Sequence, residues 1–158
     1  MSSTVDIIEA GAHDIETVRA LFVEYGQSLG FSLCFQDFDR ELAGLPGDYA
    51  RPAGRLLLAR LDGETVGTVG VRPLGPGICE MKRLYLRPTF RRHGLGRRLA
   101  VRAIDEARAA GYGAMRLDTV GATMAVAQAL YRELGFAEIP PYTKGAPVEL
   151  TCYELTLR

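Results

Sequence analysis

The chain has 158 residues, with 19 basic and 19 acidic side chains and a formal charge of zero. That length suits one domain, spanning residues 1–158, with a core that needs no metal or disulfide. The charge balance argues against a dedicated nucleic-acid binder, and three widely spaced cysteines (Cys34, Cys79, Cys152) suggest neither a disulfide framework nor a metal site.

Thr4 to Glu9 reads as a first strand, broken by Gly11. From about His13 to Leu29, Ile15, Val18, Leu21, Phe22 and Tyr25 recur at three- and four-residue steps, a helix with one apolar stripe. Phe31 to Leu45 is a second short helical region, with Asp37 as its cap and Phe38, Leu42 and Leu45 facing inward. Glycines and prolines from Gly44 to Gly54 make a loop.

Arg55 to Leu61 and Thr65 to Val71 read as a hairpin turning at Asp62-Gly63. A turn from Pro73 to Gly77 leads into a central strand, Ile78 to Leu86. A helix from Leu95 to Ala110 buries Leu99, Ala100, Ala103, Ile104 and Ala107 and leaves Arg98, Arg102 and Glu106 in solvent. Ala114 to Thr119 is the next strand. Thr123 caps a helix that places Ala127, Leu130, Tyr131 and Leu134 on one face and ends at Gly135. Strands Phe136 to Ile139 and Val148 to Leu157 close the chain. This order predicts an α/β protein with a mixed sheet of about six to seven strands, covered on both faces by about four helices.

The stretch from Leu84 to Leu99 runs from strand through Pro88 and a glycine-bearing loop into a helix, a geometry that aims backbone N–H groups at one spot. Between Glu80 and Asp105 stand Lys82, Arg83, Arg87, Arg91, Arg92, Arg97, Arg98 and Arg102, with no carboxylate. Cations at a helix N-terminus oppose its dipole, so a polyanion is expected there. Three readings of the glycines compete. A Rossmann fingerprint needs a small residue where Leu99 stands, and a P-loop needs Gly-Lys-Ser/Thr where Arg97-Arg98 follow. A plain glycine turn before a basic surface helix is the remaining alternative.

Arg91-x-x-Gly94-x-Gly96, with Leu84-x-Leu86-x-Pro88 before it and Leu99 after it, resembles the acyl-CoA signature of the GNAT superfamily of N-acetyltransferases. Glu80 to Pro88, Met115 to Thr119, and Ala127-x-x-Leu130-Tyr131-Arg132-x-Leu134-Gly135-Phe136 follow in GNAT order, so the likeness runs from about Gly54 to the C-terminus. The resemblance implies that backbone amides of Arg91, Arg92, His93, Gly94, Leu95, Gly96 and Arg97 hold the pyrophosphate of coenzyme A. It also implies that Leu84, Tyr85 and Leu86 pair with the pantetheine arm along a strand splayed from its neighbour. Where many GNAT proteins keep an asparagine, this chain has Met124.

Acetyl transfer to an amine requires deprotonating an ammonium of pKa about 10.4, a cost of about 4.6 kcal/mol at neutral pH. It also requires stabilising a departing thiolate. The resemblance points to Glu80 as the base, directly or through water. The alternative is a strand-end carboxylate paired with Lys82, Arg83 or Arg116. It points to Tyr131 as the acid beside the thioester sulfur, against a role as a core tyrosine. Cys79 reads as a buried hydrophobe, His93 as a backbone contributor and His13 as a surface residue, and no metal ligation is expected.

The implied activity is direct transfer from acetyl-CoA to a primary amine of a small molecule or amino acid. Family precedent bounds the acceptor by the two N-terminal helices and the loop after Phe136, with Tyr25, Phe31, Phe35, Tyr49, Tyr142 and Lys144 as candidate lining. A non-catalytic acyl-CoA-binding or regulatory module and a protein or peptide N-acetyltransferase are the alternatives. No nucleic-acid or membrane partner is expected, and a homodimer is left open. The chain opens without a basic-then-apolar leader and has no apolar run near the ~20 residues of a membrane span, so a cytoplasmic protein is expected.

Overall fold

Strand β2 (Arg55–Leu61) is buried on both faces for most of its length. Leu57 and Ala59 enter one core while Leu56 and Leu58 enter another, the period-two alternation of a strand held between two helical layers. The computed structural model describes residues 3–91, 93–120 and 124–158. The phosphate-loop residue Arg92, the helix cap Thr123 and the side chain of Phe35, all named from the sequence, lie outside the described residues.

The other strands are β1 (Val5–Glu9), β3 (Glu64–Gly75), β4 (Ile78–Leu86), β5 (Ala114–Val120), β6 (Ala137–Ile139) and β7 (Leu150–Thr156). They form one mixed sheet in the order β1-β2-β3-β4-β5-β7-β6. Only β4 and β5 pair in parallel. Helix α3 (Leu95–Ala109) buries Leu95, Leu99, Ala100, Ala103, Ile104 and Ala107 in the first core. Tyr131 of α4 (Ala125–Glu133) joins that core. Helix α1 (Ile15–Ser28) buries Val18, Leu21 and Phe22 in the second core, against which Phe38 and Leu42 of α2 (Phe38–Gly44) pack. Each valine, leucine, isoleucine or phenylalanine buried this completely contributes about 1.5–3 kcal/mol.

Local expectations change at β3, at Asp37 and at Glu106, which pairs with Arg55 instead of facing solvent. The strand β3 continues through Pro73, which pairs with Cys79 beside a register shift, so the turn shrinks to Pro76-Gly77. A proline is tolerated there because the ladder is already irregular and needs no N–H from it. Asp37 does not cap α2 with its side chain. It adopts a left-handed conformation (φ 54°), and its carbonyl accepts the Glu41 N–H.

The pairing of β4 with β5 covers only Ile78 to Glu80 on β4. Beyond Glu80 the two strands part, and the edge of β4 that faces β5 is unpaired through Leu86. This splay places the site.

Candidate active site

A bulge reorganises β4 just past the splay. Thr68 faces Tyr85 and Gly70 faces Lys82, so β4 carries one more residue than β3 between those pairs. Arg83 takes up the extra length at φ 63°. Its effect is a change of phase: Cys79 and Met81 point to the α3 side before it, Leu84 and Leu86 after it. Lys82 and Arg83 are both buried. The strained backbone, worth about 1–2 kcal/mol, is held by partners. Arg83 donates to both oxygens of Glu41 on α2 at 2.9 and 3.0 Å and to Gln36 Oε1 at 2.8 Å, with Phe38's ring 5.0 Å from its guanidinium carbon.

Glu80 is 2 % exposed. Arg72, its partner across β3, donates to Oε1 from Nε at 3.1 Å, with Nη2 at 3.0 Å, and the Tyr142 hydroxyl donates to Oε2 at 2.6 Å. Of the partners expected from the sequence, Arg116 binds Glu154 and Arg83 binds Glu41 instead, while Lys82 does stand near Glu80, at 3.8 Å. Lys82 donates to Gln36 Oε1 at 3.0 Å and stands 3.7 Å from Asp118 Oδ1. Burial pulls its pKa below the ordinary lysine range, against the pull of Glu80 and Asp118. Burial and then the charge of Glu80 push the Tyr142 phenol upward, which keeps it a donor.

Tyr131 is buried with its ring edge-on to Phe136 at 5.7 Å and tilted against Tyr153 at 6.4 Å. Its hydroxyl has no hydrogen-bond partner among the described residues, where every fully buried side-chain polar atom has one. The hydroxyl is therefore not completely sealed in the core. Burial, then Tyr25 and Asp118, raise its pKa, so it stays protonated and able to donate.

The predicted pyrophosphate loop enters α3 through Gly94, at φ 76° and without a side-chain cap. The position a Cβ would take at Gly94 is open, and at Gly96 it would meet only Leu86 Cδ1 at 3.5 Å. With no capping side chain, the first-turn N–H groups from Leu95 to Arg97 are left to an external acceptor. Arg91 N–H instead donates to Pro88 at 3.3 Å, and its guanidinium lies 5.7 Å from the Tyr85 ring and donates to the Leu86 carbonyl at 3.0 Å. His93 is exposed.

The cation run is less free than the bare sequence implies. Lys82, Arg83, Arg87, Arg97 and Arg102 each lie against a carboxylate from elsewhere in the chain or one turn on. Arg91 and Arg98 do not, among the described residues.

Between β5 and the stretch from the end of α1 to Gln36 runs a crevice of about 10 Å³, lined by Tyr25, Leu33, Gln36, Asp118, Thr119 and Met124 among others. Tyr49, a candidate acceptor residue, lies instead in the second core, 5.7 Å from Phe22, with its hydroxyl donating to Glu41. Lys144 and His13 are exposed. Cys79 is fully buried, and burial pushes its thiol up to about 12. Among the described residues no cluster could hold a metal ion, and no helix is long and apolar enough to cross a membrane.

Sequence reasoning missed Arg72, Gln36 and Asp118 as members of this network, and named Lys82 only as a partner for Glu80. One signal was present: the apolar positions 79 and 81 give way to 84 and 86, the slip of phase that a bulge requires.

Comparison with known proteins agrees with this architecture. The profile of the Acetyltransferase (GNAT) family matches residues 16–136, which includes the N-terminal helices. An uncharacterized N-acetyltransferase of Schizosaccharomyces pombe is 42 % identical over 131 residues, 82 % of this chain and 80 % of its own. A GNAT-family acetyltransferase from Staphylococcus aureus has the same fold, with a TM-score of 0.80 at 20 % identity over 98 % of this chain and 100 % of the other. The yncA protein of Salmonella typhimurium, solved with its cofactor acetyl-CoA, reaches 0.70 at 24 % identity over 98 % and 94 %. The chain belongs to the GNAT acetyltransferase family. It is an acyl-CoA N-acyltransferase.

Proposed function

We propose that the protein moves an acetyl group from acetyl-CoA directly to a primary amine of a small molecule or amino acid, acting as a single domain in the cytoplasm. The observation that carries this reading is the run of an unpaired β4 edge into the uncapped start of α3. An extended amide-bearing arm ending in a pyrophosphate matches both halves of that surface in chemistry and in order. In this reading Leu84, Tyr85 and Leu86 lie along the pantetheine, and the loop from Arg91 to Arg97 holds the pyrophosphate. The acetyl-CoA bound by the Salmonella fold relative supports the choice of donor.

Tyr131 donates its hydroxyl proton to the leaving thiolate, a role that fits a phenol kept protonated and bound to no described residue. Glu80 is the proton acceptor for the amine. Both of its oxygens are occupied, by Arg72 and by Tyr142. The proton therefore arrives through a water or through the Tyr142 hydroxyl rather than by direct contact. The test is thiol release from acetyl-CoA across an amine panel, with the product identified by mass spectrometry. An N-acetylated primary amine is expected; a chain that binds acetyl-CoA and acetylates nothing would instead be a binding module.

A further inference from the structure

Asp118 stands on β5 beyond Arg116, where β4 has already turned away. Its carboxylate is 10 % exposed. Oδ2 accepts the Thr143 hydroxyl at 2.7 Å. Oδ1 accepts no hydrogen bond among the described residues, since Lys82 Nζ at 3.7 Å is too distant for one.

Asp118 is also the single carboxylate lining the crevice, whose walls are otherwise mainly apolar or aromatic: Tyr25, Leu29, Leu33, Val120, Met124 and Leu150. The cations behind it are committed. Arg83 is held by Glu41, Arg72 by Glu80, and Lys82 stands between Glu80 and Asp118. None is left among them to receive an acceptor's carboxylate, and burying one unpaired is strongly unfavourable.

Resting on the acetyltransferase reading above, we infer that the acceptor is a primary amine on an apolar body that carries no carboxylate, its N–H received by Asp118 Oδ1. Of the acceptors proposed above, this favours the small amine over the amino acid, whose carboxylate finds no free partner among these three cations. Lys82 adds to the chemistry, because a neighbouring cation lowers the affinity of a bound amine for its extra proton. At about 10 Å³ the crevice is smaller than any such acceptor, so it must widen on binding.

The discriminating substrates are phenethylamine and phenylalanine, which differ by the carboxylate alone. With the full chain and saturating acetyl-CoA, kcat/KM for phenethylamine exceeds that for phenylalanine by about a hundredfold or more. Asp118→Asn raises the KM for phenethylamine by about tenfold and leaves the KM for acetyl-CoA within about twofold. Equal use of both compounds, or a preference for phenylalanine, overturns the inference without any variant having to fold. Thiol release with spermidine or a peptide N-terminus but not with phenethylamine also overturns it and leaves acetyl transfer standing. Release with none of the four takes down the acetyltransferase reading as well.

Discussion

The Tyr142 hydroxyl donates a 2.6 Å hydrogen bond to Oε2 of Glu80, while Arg72 occupies the other carboxylate oxygen. A residue of the loop after β6 is thereby tied to the strand at the centre of the sheet. Removing one donor from a buried carboxylate costs about 1.5–3 kcal/mol. Tyr142→Phe is expected to lower the free energy of urea unfolding by that order and to lower kcat with it. An unchanged unfolding midpoint would show that the bond stabilises nothing.

Tyr131 is the second point of attack. Tyr131→Phe keeps the ring between Phe136 and Tyr153 and removes only a hydroxyl that no described residue binds. The fold is therefore expected to hold its stability, while turnover falls by about tenfold or more. Affinity for coenzyme A should scarcely move. Steady-state turnover equal to that of the unaltered chain would sink the acid role.

Gly96 separates phosphate binding from stability. A Cβ there meets only Leu86 Cδ1 at 3.5 Å, ordinary contact, and the residue is helical. Gly96→Ala should leave the fold as stable or raise it by up to about 1 kcal/mol. If a pyrophosphate approaches that backbone, the KM for acetyl-CoA rises by about tenfold all the same. A melting temperature that drops while KM stays put would contradict both halves.

Glu106 makes the fold sensitive to acid. Burial works to raise its pKa, but hydrogen bonds from Arg102 and Arg55 more than offset this and hold it below the ordinary value. Between that lowered value and the unfolded carboxyl at about 4.3, the unfolded chain binds more protons than the folded one. Stability therefore rises with pH through that window and is lost as pH falls through the folded pKa. Arg55 is 5 % exposed, so Glu106→Gln leaves a buried guanidinium without its counter-charge and is expected to cost about 3 kcal/mol. The variant should also show a flatter stability profile below pH 5, followed by thermal melts across the acid range.

The bulge at Arg83 shows where reading the chain falls short. The phase slip between Met81 and Leu84 is visible in the sequence. What it accomplishes is not, because the acids that receive the displaced cations come from distant segments: Glu41 for Arg83 and Asp118 for Lys82. The basic run overstated the free charge for the same reason. Its carboxylate partners are nearly all far away in the chain.

Local pattern alone determined most of the elements, the glycine entry to α3 and the family. Alternation, helical spacing and turn chemistry are short-range properties of a chain, and so is a loop that must approach a phosphate. Tertiary structure decided the parting of β4 from β5, the pairing of Glu80 with Arg72 and Tyr142, the burial of Tyr49, and the emergence of Asp118 as the carboxylate of the crevice. Each of these depends on which side chains meet across the sheet and between layers. Contacts between residues 46 or 62 positions apart leave no periodic trace in a single sequence.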